Sequence, residues 1–306
     1  MECLQNKVIL ITGASTGIGG HTAKMLSKFK PRLALVARSA DKLKDVQTQC
    51  QEAGCGKGNV IAINADLVKH EDLARVVAET VKAFGQLDVL INNAAAIVMN
   101  DVETTTPEGF DRTMAVNIRA PFFLSQAAMP HLRKTKGCII NISSIAGQRP
   151  FMETAAYGIS KAALEHFTRT LALELAPTGV RVNALTVGMT PTDTTEEMTK
   201  IMGVKSAYEL SDMTQLQPLG GNCSMDDIAK VVTFLASDLS AAMTGTCLPV
   251  ERGFLVVPPT KPAAMEKAMA PMKNIGDLNP TSTQERMDQL KKMIAPKTPA
   301  DFSSKK

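Results

Sequence analysis

Residues 7 to 19 read Lys7-Val8-Ile9-Leu10-Ile11-Thr12-Gly13-Ala14-Ser15-Thr16-Gly17-Ile18-Gly19. Lys7 to Thr12 is a short β-branched run of the length of a buried strand. Glycines then fall at the turn and at the opening of a helix-period segment, Gly19 to Lys30. A pyrophosphate needs this arrangement, because backbone N–H groups must approach it closely and a helix N-terminus supplies partial positive charge. The spacing is Gly-x-x-x-Gly-x-Gly and not the commoner Gly-x-Gly-x-x-Gly. Gly13, Ser15, Thr16, Gly17, Ile18 and Gly19 are therefore the candidate phosphate cradle, with the strand before and the helix after that such a loop requires.

Outward from that stretch the pattern repeats. Short apolar runs at Leu33 to Ala37, Asn59 to Ile63, Leu87 to Asn92, Gly137 to Ser143 and Val180 to Thr186 alternate with helical segments at Lys42 to Ala53, Asp72 to Phe84, Gly109 to Lys134 and Ala155 to Ala176. Strand and helix in alternation predict an α/β fold, a parallel sheet covered on both faces. Thr106 ahead of Pro107 reads as a helix N-cap, Ser224 with Asp227 as a capping box, and Pro121 as an interruption of its long helix. From Gly188 to Gly220 the alternation fails, which is the signature of a functional lid. Seven of the sixteen prolines follow Val257, so residues 1–257 are expected to form one domain and 258–306 an extension. In that extension Ser282 and Glu285 cap a segment with Met287, Leu290, Met293 and Ile294 at helical spacing.

Two further positions carry chemistry. At the tip of the second strand the chain reads Val36-Ala37-Arg38-Ser39. An NAD enzyme places an acid there for the ribose 2′-hydroxyl; Arg38 instead suits a 2′-phosphate, so NADP(H) is expected over NAD(H). Tyr157 and Lys161, four residues apart, share one helix face. A free phenol titrates near pH 10, and an ammonium beside it is expected to lower that value toward the working range of a proton donor.

The glycine triad, Asn92-Asn93-Ala94, Asn117, Ser144, Tyr157 and Lys161 together resemble the short-chain dehydrogenase/reductase family over residues 5 to 257. The resemblance implies a single-domain, Rossmann-type doubly wound parallel sheet with a Pro-rich C-terminal extension. It implies that Ser144 binds the substrate oxygen, Tyr157 exchanges its proton, Lys161 holds the nicotinamide ribose and Asn117 holds a water leading to solvent. It further implies that Asp66 and Leu67 contact adenine, that Asn93 and Ala94 support the cofactor site, and that Val187, Gly188 and Thr192 face the carboxamide. A homodimer or homotetramer built on the Gly109 to Lys134 and Ala155 to Ala176 helices is implied too. The chain departs from the family at Ala95 for Gly, Val187 for Pro, Gly221 for Arg, and Glu251-Arg252-Gly253 for Asp-Gly-Gly.

Composition narrows the rest. The net charge of +4 sits in residues 258–306, which hold nine Lys and Arg against five Asp and Glu; with Phe302 as their lone aromatic they offer no stacking platform for nucleic acid. Six cysteines without a Cys-x-x-Cys pair, and no signal segment before Cys3, point to reduced thiols in the cytoplasm. No metal is expected, since four scattered histidines do not complete a site, and no run is long enough to span a bilayer. Phe151, Met152, Met189, Met198, Ile201, Met202 and Met213 are either walls of an adaptable apolar pocket or plain core packing. The expected activity is hydride transfer between NADP(H) and a carbonyl or secondary alcohol of a hydrophobic substrate, such as a 3-oxoacyl chain, a steroid-like compound or another ketone. The alternative is a cofactor-binding scaffold or redox sensor acting through its tail.

Overall fold

The computed structural model describes residues 4–192 and 217–257. Seven strands form one sheet: β1 (Val8–Thr12), β2 (Arg32–Ala37), β3 (Val60–Asn64), β4 (Val89–Asn92), β5 (Cys138–Ser144), β6 (Arg181–Val187) and β7 (Cys247–Val250). Their order is β3-β2-β1-β4-β5-β6-β7 and every neighbouring pair is parallel. This is the doubly wound Rossmann-type sheet, and its strand order reverses direction between β1 and β4.

The central strands are apolar throughout because both faces are covered. Ile9 and Ile11 of β1 pack with Leu26, Val46 and Val232, while Val8 and Leu10 pack with Leu73, Leu124 and Leu171. The first layer is supplied by α1 (Gly17–Ser27), α2 (Ala40–Cys50) and α7 (Met225–Ala236). The second comes from α3 (His70–Phe84), α5 (Ala120–Thr135) and α6 (Ala155–Leu175). Each fully buried large apolar side chain contributes about 1.5–3 kcal/mol.

The capping signals at Thr106 and Ser224 are present: Thr106 accepts from Gly109 N at the start of α4 (Pro107–Met114), and Ser224 with Asp227 closes a reciprocal capping box. The helix expected as one piece over Gly109 to Lys134 is α4 and α5 joined through a π turn at Ala115–Arg119. Pro121 stands just past that turn, so the interruption takes the form of one wider turn and not a break. Sequence periodicity missed β7. It is a four-residue edge strand containing Pro249, and a proline lowers strand propensity everywhere but at an edge.

The described residues fall into two compact units, one of residues 4–190 with 222–251, the other represented by 191–192, 217–221 and 252–257. In the second, Arg252 (φ 58°) and Gly253 (φ 87°) both occupy the left-handed region. Arg252 stands where the family carries glycine, and its guanidinium donates to the carbonyls of Leu219 and Gly220. The expected lid core with Met198, Ile201, Met202 and Met213, and the Ser282 to Ile294 helix, lie outside the described residues.

Candidate active site

The cradle lies where the sheet reverses. Gly13 has φ +65°, and a Cβ there would sit 2.8 Å from Ala94 Cα and 2.9 Å from Asn93 Nδ2. At Gly19 a Cβ would meet Gly13 O and Asn93 Nδ2, both at 2.4 Å. Only glycine lets this loop close against the end of β4. Asn93 clamps it there: Nδ2 donates to Thr12 O (2.8 Å) and Gly13 O (3.2 Å), and its N–H to Thr12 Oγ1 (2.9 Å). Thr16, the N-cap of α1, makes no side-chain cap bond, and the first turn holds no acidic residue. A helix start whose N–H groups lack both a cap and a competing carboxylate fits the pyrophosphate of a nicotinamide dinucleotide.

Arg38 is exposed at the tip of β2, the strand beside β1, and Asn64 Nδ2 donates to its carbonyl (2.7 Å). Asp66 follows β3 in a tight turn: its carboxylate accepts from Val68 N (3.2 Å) and its own N–H donates to Asp72 (2.8 Å). Leu67 points into the core. Arg112 of α4 was not singled out by the sequence. Its pKa is lowered first by burial and then by the charge of Arg38, with Asp66 opposing, and its Nε is buried without a hydrogen-bond partner. Three charged groups thus share the region expected to hold the adenosine.

The catalytic candidates come together from three elements. Ser144 ends β5 and accepts from Ala146 N (3.2 Å), which opens a short 3-10 turn at Ile145–Gly147. That turn lies against α6 backbone to backbone, since a Cβ on Gly147 would stand 2.9 Å from Ala162 N. The approach brings the Ser144 hydroxyl close enough to the Tyr157 phenol to act on its proton affinity. Lys161, one turn along α6, is 2% exposed; its Nζ donates to Ile142 O (2.7 Å) and lies 5.5 Å from the Tyr157 ring centre. Asn117, in the π turn, gives its whole side chain to structure: Oδ1 accepts from Ala96 N (2.7 Å), while Nδ2 donates to Ala96 O (2.8 Å) and Ser160 Oγ (3.0 Å). Pro121, four residues on, has no N–H to return to the Asn117 main-chain carbonyl as an unbroken helix would require.

One electrostatic expectation is corrected. Burial pushes the Tyr157 phenol above its ordinary value, and the neighbouring Ser144 hydroxyl opposes this. The same burial lowers Lys161 to about 8. Spacing along a helix places the pair side by side, but desolvation of both groups outweighs their proximity. Lys161 therefore weakens the fold at neutral pH. Below pH 8 the folded state holds a buried ammonium. Between about 8 and 10.5 it has released its proton while the unfolded chain still binds one, so stability rises with pH across that window. Lys161→Met is expected to raise Tm at pH 7 and to flatten this rise, as thermal melts from pH 7 to 9.5 will show.

Val187 ends β6 opposite Ser144 in register, and Gly188 follows with its N–H on Val250 O (2.9 Å). A Cβ at Gly188 would lie 2.7 Å from Glu251 Cα, so Gly188→Ala is expected to displace the end of β7 and destabilise by about 1–3 kcal/mol in urea titrations. Ala95, where the family has glycine, is exposed and not left-handed, so its methyl group costs nothing. Thr192 belongs to the smaller unit. Phe151 and Met189 are half-buried and Met152 is exposed, which removes all three from the core. Among the described residues no group of His, Cys, Asp and Glu could hold a metal, and no helix is long and apolar enough to cross a membrane.

Comparison with known proteins agrees with this geometry. The family model described as enoyl-(acyl carrier protein) reductase matches residues 13–255. An uncharacterized oxidoreductase of Thermotoga maritima is 35% identical over 255 residues, 83% of this chain and 99% of that protein. The trans-4-hydroxycyclohexanecarboxylate dehydrogenase of Sinomonas cyclohexanicum is 32% identical over 254 residues, 81% of this chain and 92% of the relative. Among solved structures, 3-ketoacyl-(acyl-carrier-protein) reductase from Brucella melitensis, complexed with NADH, superposes with a TM-score of 0.72 at 29% identity, covering 82% of this chain and 99% of that one. With the sheet order, the glycine cradle and the Ser144–Tyr157–Lys161 cluster already in place, the chain belongs to the short-chain dehydrogenase/reductase family, oxidoreductases that use a nicotinamide cofactor on alcohols and ketones.

Proposed function

We propose that the protein is an NADP(H)-dependent carbonyl reductase, or alcohol dehydrogenase in the reverse direction, with Tyr157 as its acid and base. The observation that carries this is the buried Lys161, its Nζ on Ile142 O and 5.5 Å from the Tyr157 ring centre, with Ser144 at the end of β5 beside the same phenol. Gly13 to Gly19 hold the pyrophosphate, Arg38 the 2′-phosphate, Asp66 and the main chain of Leu67 the adenine side, and Lys161 the nicotinamide ribose. Val187 and Gly188 bound the carboxamide. The bound nicotinamide supplies or takes the hydride. Ser144 and Tyr157 donate hydrogen bonds to the substrate oxygen, and Tyr157 passes its proton to the developing alkoxide. The released carbonyl of Asn117 holds the water through which that proton is replaced.

Substrate selection follows from Phe151, Met152 and Met189, an apolar surface that favours a hydrophobic ketone. Loss of NADPH absorbance is to be followed with 4-oxocyclohexanecarboxylate, a 3-oxoacyl thioester and a steroid ketone, with NADH in parallel. Turnover of at least one ketone, faster with NADPH, is expected; binding of NADPH without turnover of any ketone would refute the reading as an enzyme of this type. Residues 1–257 form the catalytic domain in this reading and 258–306 an extension. Phe122 (45% exposed), Ile159 (54%) and Leu173 (79%) give α5 and α6 the apolar outer surface for a homodimer or homotetramer. The buried free thiols Cys50, Cys55, Cys138 and Cys223 suit a reducing cytoplasm.

A further inference from the structure

Glu165 lies on α6 one turn beyond Lys161 and is 4% exposed. Its Oε1 accepts from Ser143 Oγ (3.1 Å), Thr186 Oγ1 (2.8 Å) and Gln148 Nε2 (3.2 Å), and Gln148 Nε2 also reaches Oε2 (3.1 Å). Among the described residues no salt bridge reaches this carboxylate. The two basic groups one turn away on its own helix are engaged elsewhere, Lys161 with Ile142 O and Arg169 with Cys247 Sγ. A buried anion without a cation costs several kcal/mol unless its lone pairs are filled, and here neutral donors fill them.

The donors are what give the arrangement meaning. Ser143 directly precedes Ser144; Thr186 is its partner in the sheet register and directly precedes Val187; Gln148 directly follows the 3-10 turn that lies on α6. A carboxylate accepts and never donates, so all three side chains turn a hydrogen toward it, and Gln148 Nε2 also reaches Thr186 Oγ1 (3.2 Å) and Ser143 Oγ also reaches Lys161 O (3.3 Å). We propose that Glu165 is a positioning residue, which draws the end of β5, the turn after it and the end of β6 onto α6 and so holds Ser144 at the Tyr157 hydroxyl. This rests on the reading of Ser144, Tyr157 and Lys161 as the catalytic group. Reacting atoms misplaced by about 1 Å lower rates by roughly 10²-fold. A glutamine at 165 brings its own N–H₂ against the amide of Gln148 and loosens the junction without changing its volume.

The test compares full-length wild type with Glu165→Gln, Thr186→Val and Tyr157→Phe, using NADPH and the fastest ketone of the panel. Glu165→Gln is expected to lower kcat by about 10- to 30-fold, with KM and the NADPH Kd (from the change in NADPH fluorescence on binding) changed less than about threefold. Thr186→Val, which removes one donor and no charge, is expected to lower kcat by about three- to fivefold, and the double variant to be less than multiplicative. An undiminished kcat in soluble, folded Glu165→Gln would overturn the proposal. So would a loss shared equally by kcat, NADPH affinity and Tm. Should Glu165→Gln fail to fold, an undiminished kcat in Thr186→Val overturns it. If Tyr157→Phe retains wild-type turnover, the catalytic reading itself fails; if Tyr157→Phe collapses while the other variants match wild type, only the role of Glu165 fails.

Discussion

Replacing Tyr157 with phenylalanine is expected to lower kcat by about 10³-fold while leaving the NADPH Kd within about twofold of wild type. The ring stays in place, so the contact with the Lys161 side chain at 5.5 Å and the packing of α6 survive. What disappears is the hydroxyl that Ser144 engages. Without it the alkoxide formed by hydride addition keeps one hydrogen-bond donor and has no proton source, and loss of a positioned general acid is worth roughly 10²–10⁴ in rate. Burial holds the phenol above its ordinary value, so the variant removes a hydroxyl that carries its proton. Stopped-flow traces with pre-bound NADPH separate the two quantities. Retained turnover in Tyr157→Phe would remove the tyrosine from the mechanism, whereas lost NADPH binding would mean that the substitution had disturbed the cleft.

Arg38→Asp is expected to shift the ratio of kcat/KM for NADPH over NADH by about 10²-fold toward NADH. Arg38 is exposed at the tip of β2, and in the proposed reading its fork of donors would meet a doubly charged 2′-phosphate. Aspartate there repels the phosphate and accepts from a ribose 2′-hydroxyl, so both halves of the ratio move in the same direction. NADPH binding should not vanish, because Arg112 keeps a second guanidinium in the same electrostatic neighbourhood. Steady-state kinetics with each cofactor at several salt concentrations checks this: the wild-type preference should weaken as salt rises and that of the variant should respond less. An unchanged ratio would make Arg38 a surface residue and reopen the cofactor assignment.

Much of this molecule was legible in its sequence, for identifiable reasons. Strands such as β1 and β6 are buried on both faces, so their apolar runs are uninterrupted, and the glycines at 13 and 19 are forced by contacts with Asn93 and Ala94 that admit no Cβ. Tyr157 and Lys161 stand out by their spacing on one helix face and Ser144 by the family resemblance, and the end of β5 and the start of α6 bring the three together. Elements without a local signature were missed. β7 is short and carries Pro249; Glu165 meets Ser143, Gln148 and Thr186 across 17 to 22 residues, where no periodicity links them. The raised Tyr157 phenol was missed for a related reason. Desolvation depends on everything packed around a group, and an i to i+4 spacing reports only one neighbour.

The π turn at Ala115–Arg119 also decides which way α5 faces. An extra residue in one helical turn rotates everything after it by about 100° relative to an uninterrupted helix. Downstream, Phe123 consequently packs with the interior and against the edge of the His70 ring (4.9 Å), while its neighbour Phe122 lies on the surface beside Phe167 (5.2 Å). Straightening the turn without shortening the chain would therefore bring Phe122 inward in place of Phe123, whereas deleting Ile118 or Arg119 together with the turn would leave Phe123 where it is. The same deletion would make Phe122 the fourth residue after Asn117 and give that carbonyl an N–H that Pro121 cannot supply. One added residue thus changes what the Asn117 carbonyl meets while the facing of α5 depends on the turn that absorbs it.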